Sequence, residues 1–414
     1  MNLPFSTQSP GIAGRIKRRY SDFVVEEITK EHECKVEHFA EPPQTKEIVW
    51  PENTEGKENL ILEMEKFNTD FYMAVKTVSR FLRFSQKRIG YAGIKDKRGI
   101  TSQLISIFKP ELGRAKEFRS RNIFLKPVKW QNERIDLGDL EKNRFRIVVR
   151  EIELGKEETE KRILESFKEI QEKGIANFFG EQRFGGIREV THLVGKEVTK
   201  GSMEKAVMLY LTHPAEKEDE DIANARKNLE KTKDFAEATK EFPIQYRFER
   251  AIIHHLCKFP KDFVGAFANL PKKLRYMFTH AYQSYLFNEI IKERLAQNIG
   301  LKPTDGDELL DGIPTAPLIG FETILSSGKI KKIEEKILKK EGTKIEDFKV
   351  KQMPELSSKG ARKKILLEPE NLQLIEVAED EINPGKIKAV LSFTLTKGNY
   401  ATTVMREIMK VDDA

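Results

Sequence analysis

Residues 90–103 read GYAGIKDKRGITSQ, and the division of this stretch sets the layout of the chain around it. Ile89 to Ile94 is composed like a strand, Lys95–Gly99 like a turn, and Gln103–Phe108 like a second strand. One carboxylate, Asp96, therefore falls at a strand-to-loop transition, among the cations Lys95, Lys97 and Arg98. A sheet that holds a loop residue facing open space is a common way to position chemistry. Nearby positive charge favours the ionised form of such a carboxylate, which suits it to nucleophilic or weakly basic work rather than to acid catalysis. The plainer use of an Asp here is to tie a turn through backbone N–H groups.

Working outward, Thr69 or Asp70 is placed to cap a helix whose apolar stripe is Ala74, Val75, Val78, Phe81 and Leu82; a short second helix starts at Ser85. Phe23–Val25 reads as a short strand, residues 41–58 as a proline-containing exposed loop, and Ile61, Leu62 and Met64 as another strand. Phe145–Val149 predicts a strand, and Glu157–Lys173 an amphipathic helix ended by Gly174. Residues 215–241 are so charged that they read as a solvated helix or connection, and Leu274–Leu295 as a long helix. Leu372–Val377 and Lys386–Thr396 look like strands, and YATTVMREIM closes the chain as a strand or short helix. Strands near both ends with a helix-rich middle predict an α+β domain interrupted by an insertion.

A length of 414 residues implies two or three domains. The net charge is +7, but residues 76–110 alone contain nine Lys and Arg against the single acid Asp96. Such a local field attracts a polyanion. The only cysteines, Cys34 and Cys257, give neither a disulfide framework nor a zinc site, so a reducing cytoplasm is expected. No apolar leader segment and no long apolar run is present, which predicts neither secretion nor a membrane span. There is no phosphate-binding G-x-x-x-x-G-K-[ST], no G-x-G-x-x-G, no H-E-x-x-H and no G-x-S-x-G. No acidic cluster suits a two-metal nuclease. Phe23, Phe145, Phe184 and Tyr400 lie near basic or Gly-rich turns, as aromatics that stack on extruded bases do, although core packing is the ordinary use of each. Asn143 offers an amide able to read a base edge.

Several ordered motifs resemble one family. GIKDKRGITSQ resembles the G-x-K-D-x-x-A-x-T-x-Q signature of the TruD family of pseudouridine synthases, with Gly99 where the family often has Ala. NRFRIVVREI is similar to its N-x-F segment, ANFFGEQRFG to its N-x-F-G-x-Q-R-F-G, and RRYSDFVVEEI to its D-F-x-V-x-E strand. LTKGNYATTVMREIM resembles its closing G-S-[YF]-A-T-x-[VL]-x-R-E, with Asn399 in the Ser position. The resemblance implies an α+β catalytic domain with a mainly antiparallel sheet, formed by 1–187 with 368–414. A helix-rich insertion over 188–367 (countable from about 174) would form the other arm of a V with a basic cleft. It implies isomerisation of uridine in tRNA, at position 13 of the D arm, with other RNAs as further targets. No cofactor, metal or obligate protein partner is implied.

By the same resemblance Asp96 is catalytic, Phe145 stacks on the flipped base, Asn143 bonds its edge, and Phe23 and Tyr400 wall the pocket. Lys17 falls on a basic active-site position and is expected to pair with Asp96 or with Glu26. Lys95, Lys97, Arg98 and Arg183 would meet the RNA. A reading from a different class is a non-catalytic RNA-binding or RNA-chaperone protein using the same cleft.

Overall fold

The strands that flank the Asp96 loop belong to one mixed sheet. In the computed structural model, which describes residues 3–44, 47–53, 56–186, 188–215 and 218–411, this sheet contains β1 (Phe23–Ile28), β2 (Asn59–Phe67), β3 (Ile89–Tyr91), β4 (Ile100–Phe108), β5 (Ile123–Gln131), β6 (Lys142–Ile152), β7 (Glu370–Glu379) and β8 (Ile387–Thr396). Parts of the loop expected over 41–58, part of the connection over 215–241, and residue 187 lie outside the described residues.

The strand order is β7-β8-β6-β1-β4-β2-β5, with β3 added on β4. Only β1 and β4 run parallel; every other pairing in this sheet is antiparallel. Of the two C-terminal strands, β8 pairs with β6, and β7 pairs with β8 at the sheet edge. By contacts the chain divides into two units: Ser6–Ile175 with the chain from Glu368 onward, and Ala176–Leu367 with the N-terminal segment up to Phe5.

In the first unit one face of the sheet is covered by the helix Phe71–Phe81. Asp70 caps it, accepting from the Met73 amide at 3.1 Å. The buried Phe71, Ala74, Val75 and Val78 pack on Leu60, Leu62, Met64, Ile105 and Ile107. Full burial of each large apolar side chain contributes about 1.5–3 kcal/mol. The helix Lys156–Lys173 ends at Gly174, whose φ of 70° is the left-handed conformation a glycine adopts without strain. The closing segment is a helix, Ala401–Met409.

β5 was not expected. It carries Pro127, which reads against a strand, but it lies at the sheet edge, where a missing N–H removes nothing from the ladder to a further neighbour.

In the second unit the long helix Lys272–Ala296 is the central element, with Phe278, Tyr282, Leu286, Phe287 and Ile290 buried. The charged stretch after 215 is not simply solvated. It forms helices Glu220–Thr232 and Phe235–Glu241, and the first buries Ile222, Ala225 and Leu229 together with Arg226. Its apolar residues recur at helical spacing beneath the charges, and Arg226 is paired with Glu218 and Glu249. No helix among the described residues is long and apolar enough to cross a membrane.

Candidate active site

The side-chain alternation of β1 determines what faces the Asp96 loop. Val25 pairs with Thr101 on one side and with Phe145 on the other. Thr101 pairs in turn with Lys66, and Phe145 with Phe393. Lys66, Thr101, Val25, Phe145 and Phe393 therefore form a row across five strands with their side chains on one face. Phe23 and Glu27, two residues either side of Val25, share that face.

Asp96 stands above this row on the loop between β3 and β4, with its side chain 53% exposed. Three contacts pin the loop. The ammonium of Lys66, fully buried, donates to the Asp96 carbonyl oxygen. The Lys95 ammonium, also buried, pairs with Glu27, whose other oxygen accepts from the Leu104 amide at 3.2 Å. Gln103 Nε2 donates to the Gly93 carbonyl at 2.8 Å. Burial lowers the pKa of Lys66 to about 8, against the opposing pull of Asp96 and Asp70. At the end of the loop Gly99 approaches β1 so closely that a Cβ there would lie 2.5 Å from the Phe23 carbonyl oxygen.

Lys17 arrives from the other direction. Its Nζ lies 3.6 Å from Asp96 Oδ2 and 3.9 Å from the centre of the Phe23 ring. Its φ of 57° is left-handed, as is that of Ala13 at 52°. Non-glycine residues hold such angles only where surrounding structure imposes them. Here the anchor is reciprocal: Arg15 and Arg150 exchange backbone hydrogen bonds at 2.8 Å.

The expected residues fall out unequally. Lys17 lies beside both Asp96 and the Phe23 ring. Phe145 lies in the same row but is only 7% exposed, with its ring against Phe23 at 6.1 Å and stacked on Phe393 at 5.6 Å. Asn143, two residues before it, keeps a buried Oδ1 without a hydrogen-bond partner. Tyr400 is 55% exposed and precedes the last helix. Lys97 and Arg98 are exposed and, among the described residues, make no ion pair.

Two expectations need correction. Glu26 does not pair with Lys17; strand alternation turns it to the opposite face, where it holds Arg144 at 2.8 Å and accepts from the Val36 amide. Its neighbour Glu27 is the acid on the Asp96 side. Lys95 is not a surface cation, because its charge is spent on buried Glu27. Arg183 belongs to the second unit, where its Nε donates to Ser284 Oγ at 3.0 Å. Sequence reading missed Lys66, Glu27 and Phe393. The alternation of Ala389, Leu391, Phe393 and Leu395 was the available signal for the last.

On the reverse face, the donor atoms of His32, Cys34 and Glu63 lie within 4.8 Å of one another. The carboxylate of Glu63 is already occupied: it accepts from the Lys35 amide, Ser102 and His32, and Lys126 Nζ lies 3.0 Å away. Burial and the adjacent acids raise the Cys34 thiol well above its usual range. The group is explained as a buried hydrogen-bond cluster.

What the Asp96 side can do chemically is narrow. It presents one accessible carboxylate on a fixed loop, one cation beside it, aromatic rings below, and an unpaired amide oxygen, with free cations on the loop. That set suits covalent or proton chemistry on a planar group delivered by a polyanion.

Comparison with known proteins gives a consistent result. The family model for tRNA pseudouridine synthase D (TruD) matches residues 2–312 and 308–408. A relative named "Probable tRNA pseudouridine synthase D" from Methanosarcina acetivorans is 40% identical, covering 99% of this chain and 95% of its own length. One from Methanocaldococcus jannaschii is 35% identical, covering 97% and 96%. The crystal structure of a TruD protein from Methanosarcina mazei superposes with a TM-score of 0.83 at 39% identity, covering 99% of this chain and 96% of that one.

Proposed function

The chain belongs to the tRNA pseudouridine synthase D (TruD) family, and from that premise we propose that it converts uridine 13 in the D arm of tRNA to pseudouridine, with Asp96 as the reacting carboxylate. The observation that carries this reading is the fixed, accessible Asp96 beside Lys17, above a row that includes Phe145.

The isomerisation breaks the N1–C1′ bond and forms a C5–C1′ bond; C5 loses its proton and N1 gains one. No atoms enter or leave, so neither a cofactor nor a metal is required for balance. Asp96 attacks C1′, attacks C6, or assists loss of the C2′ proton to give a glycal. All three routes need a carboxylate oxygen at one place, and the pinned loop supplies that. The uridine leaves its stack to be reached. Phe145 stacks on the base through the small part of its ring left uncovered, Phe23 and Tyr400 wall the pocket, and the free Oδ1 of Asn143 accepts from the uracil N3–H. Lys97, Arg98 and Arg183 take backbone phosphates. Residues 188–367, within the second unit, act as the family's insertion. The enzyme meets tRNA in the cytoplasm, and other RNAs with an equivalent extruded uridine are accepted too.

Unmodified tRNA transcript incubated with the protein should give a carbodiimide-dependent primer-extension stop at position 13, and a transcript with cytidine there should give none. Modification at a different uridine, with position 13 untouched, would refute the site assignment.

The clamp on the Asp96 carbonyl has its own consequence. Lys66→Met should lower single-turnover rate about 10- to 100-fold, because sub-ångström placement of reacting groups is lost, while tRNA affinity stays within a few-fold. Unchanged turnover would show that Lys66 does not position Asp96. The same lysine predicts a pH effect. Its folded pKa of about 8 lies below the ordinary 10.5, so between these values the unfolded chain binds more protons. The wild-type protein should therefore gain stability relative to Lys66→Met as pH rises through that window.

A further inference from the structure

Lys363 is a part-buried cation with no acceptor among the described residues. It lies on the strand Ala361–Lys364, opposite Ala316 of Ile313–Leu318. Its Nζ is 5.3 Å from the ring centre of Phe179 and 5.7 Å from that of Phe287. Burial alone pushes its pKa down to about 8. Among the described residues no carboxylate, carbonyl or hydroxyl accepts a hydrogen bond from it. The buried lysines differ: Lys66 has the Asp96 carbonyl and Lys95 has Glu27. Aromatic faces attract an ammonium, but they do not satisfy its three donors.

A second cation converges on the same ring. The guanidinium carbon of Arg183 is 5.5 Å from the centre of Phe179, and its Nε is steadied by Ser284 Oγ. Phe179 itself is fixed, since its amide donates to Asn288 Oδ1 and its carbonyl accepts from Asn288 Nδ2, both at 2.9 Å. Two positive groups are thus held at one aromatic ring on rigid supports, and one lacks any counter-group. A partly desolvated cation of this kind costs some stability and keeps donors that a ligand's oxygens can satisfy.

We propose that Lys363, with Arg183, forms a subsite for a phosphodiester group of the RNA substrate. The inference rests on the chain acting on RNA. A phosphodiester offers two anionic oxygens, enough to engage the Lys363 ammonium and the Arg183 guanidinium together. It also delivers them as part of a polyanion, so the binding energy of the remaining contacts helps to place it.

The test opposes two readouts. Binding of unmodified tRNA is measured by filter retention over a range of KCl concentrations, for wild type, Lys363→Met and Lys363→Arg. Lys363→Met should bind about 3- to 10-fold more weakly at low salt, with the slope of log affinity against log salt reduced by about one. Lys363→Arg should retain most of the affinity. In thermal melting without RNA, Lys363→Met should melt higher than wild type, because Met keeps the length and loses the desolvated charge. A merely structural lysine would move melting downward in the variant and leave the salt slope unchanged, and that pair of results would overturn the proposal. If millimolar inorganic phosphate raises the wild-type melting temperature through Lys363 while tRNA affinity is insensitive to the substitution, the subsite takes free phosphate and the RNA assignment falls. A wild-type protein that shows the Lys363-dependent tRNA slope yet forms no pseudouridine would refute the isomerase reading and leave this one standing. Normal pseudouridine formation with Lys363-independent affinity does the reverse.

Discussion

Asp96→Asn and Asp96→Ala should each lower single-turnover pseudouridine formation at least about a thousandfold, with tRNA affinity within about threefold of wild type. The reasoning is geometric. The loop is held by the Asp96 backbone carbonyl through Lys66 and by Lys95 through Glu27, and neither contact uses the Asp96 side chain. That side chain is half-exposed and has one partner, Lys17. Its replacement therefore removes the oxygen proposed to react without disturbing its support, and melting temperature should scarcely change. Affinity depends on many phosphate contacts and survives. Quenched-flow assays with primer-extension detection would measure the rate. Either variant working at the wild-type rate would remove Asp96 from the chemistry.

The largest effect on stability is expected at Arg150→Ala. Arg150 is buried and binds three acids: Asp22 at 2.9 Å, Asp380 at 2.7 Å and Glu381 at 2.9 Å. Asp22 and Asp380 are themselves buried. They come from the start of β1 and from the turn between β7 and β8, so one guanidinium joins segments far apart in the chain. Removing it leaves two buried carboxylates without their cation, a loss of about 3–5 kcal/mol. Denaturant unfolding should show this, and adding Asp22→Asn and Asp380→Asn to the variant should recover part of it. A loss below about 1 kcal/mol would contradict the buried pairing.

Acid should attack the same cluster. Burial raises the carboxyl of Asp380, but hydrogen bonds from Asn383, the Glu151 and Ile382 amides and Arg150 outweigh it and hold its pKa below 3.8. The resulting stabilisation is fully present above about pH 4 and is lost as pH falls through the depressed value. Because Arg15 pairs with the Arg150 backbone, loss of this cluster should also loosen the segment that carries Lys17.

Local pattern made some of this architecture legible and left the rest hidden. The loop at Asp96, the capped helix after Asp70 and the closing strands each follow from short-range composition, and short-range composition is what a sequence displays. Glu26 is named in the sequence reading and Glu27 is not, although alternation from Phe23 places Glu27 on the Asp96 side. β5 escaped because Pro127 is a poor strand residue except at an edge, and edge status is a property of the whole sheet. Lys66 looked like the polar end of an apolar strand, and its use became visible only when the loop was seen to cross it. Lys363, within ARKK, looked like any surface lysine. Its burial depends on Phe179 and Phe287, which lie far upstream. The Arg150 cluster is hidden for the same reason: its partners are 128 and 230 residues away.

The position of β8 between β6 and β7 has a bearing on biosynthesis. β6 is translated more than two hundred residues before the strand that pairs with it, so on the ribosome its hydrogen-bonding edge waits through the whole of the intervening unit. Phe393 reaches Phe145 only as translation nears its end. A nascent chain therefore carries Asp96 long before Phe393 completes the row of side chains on that face of the sheet.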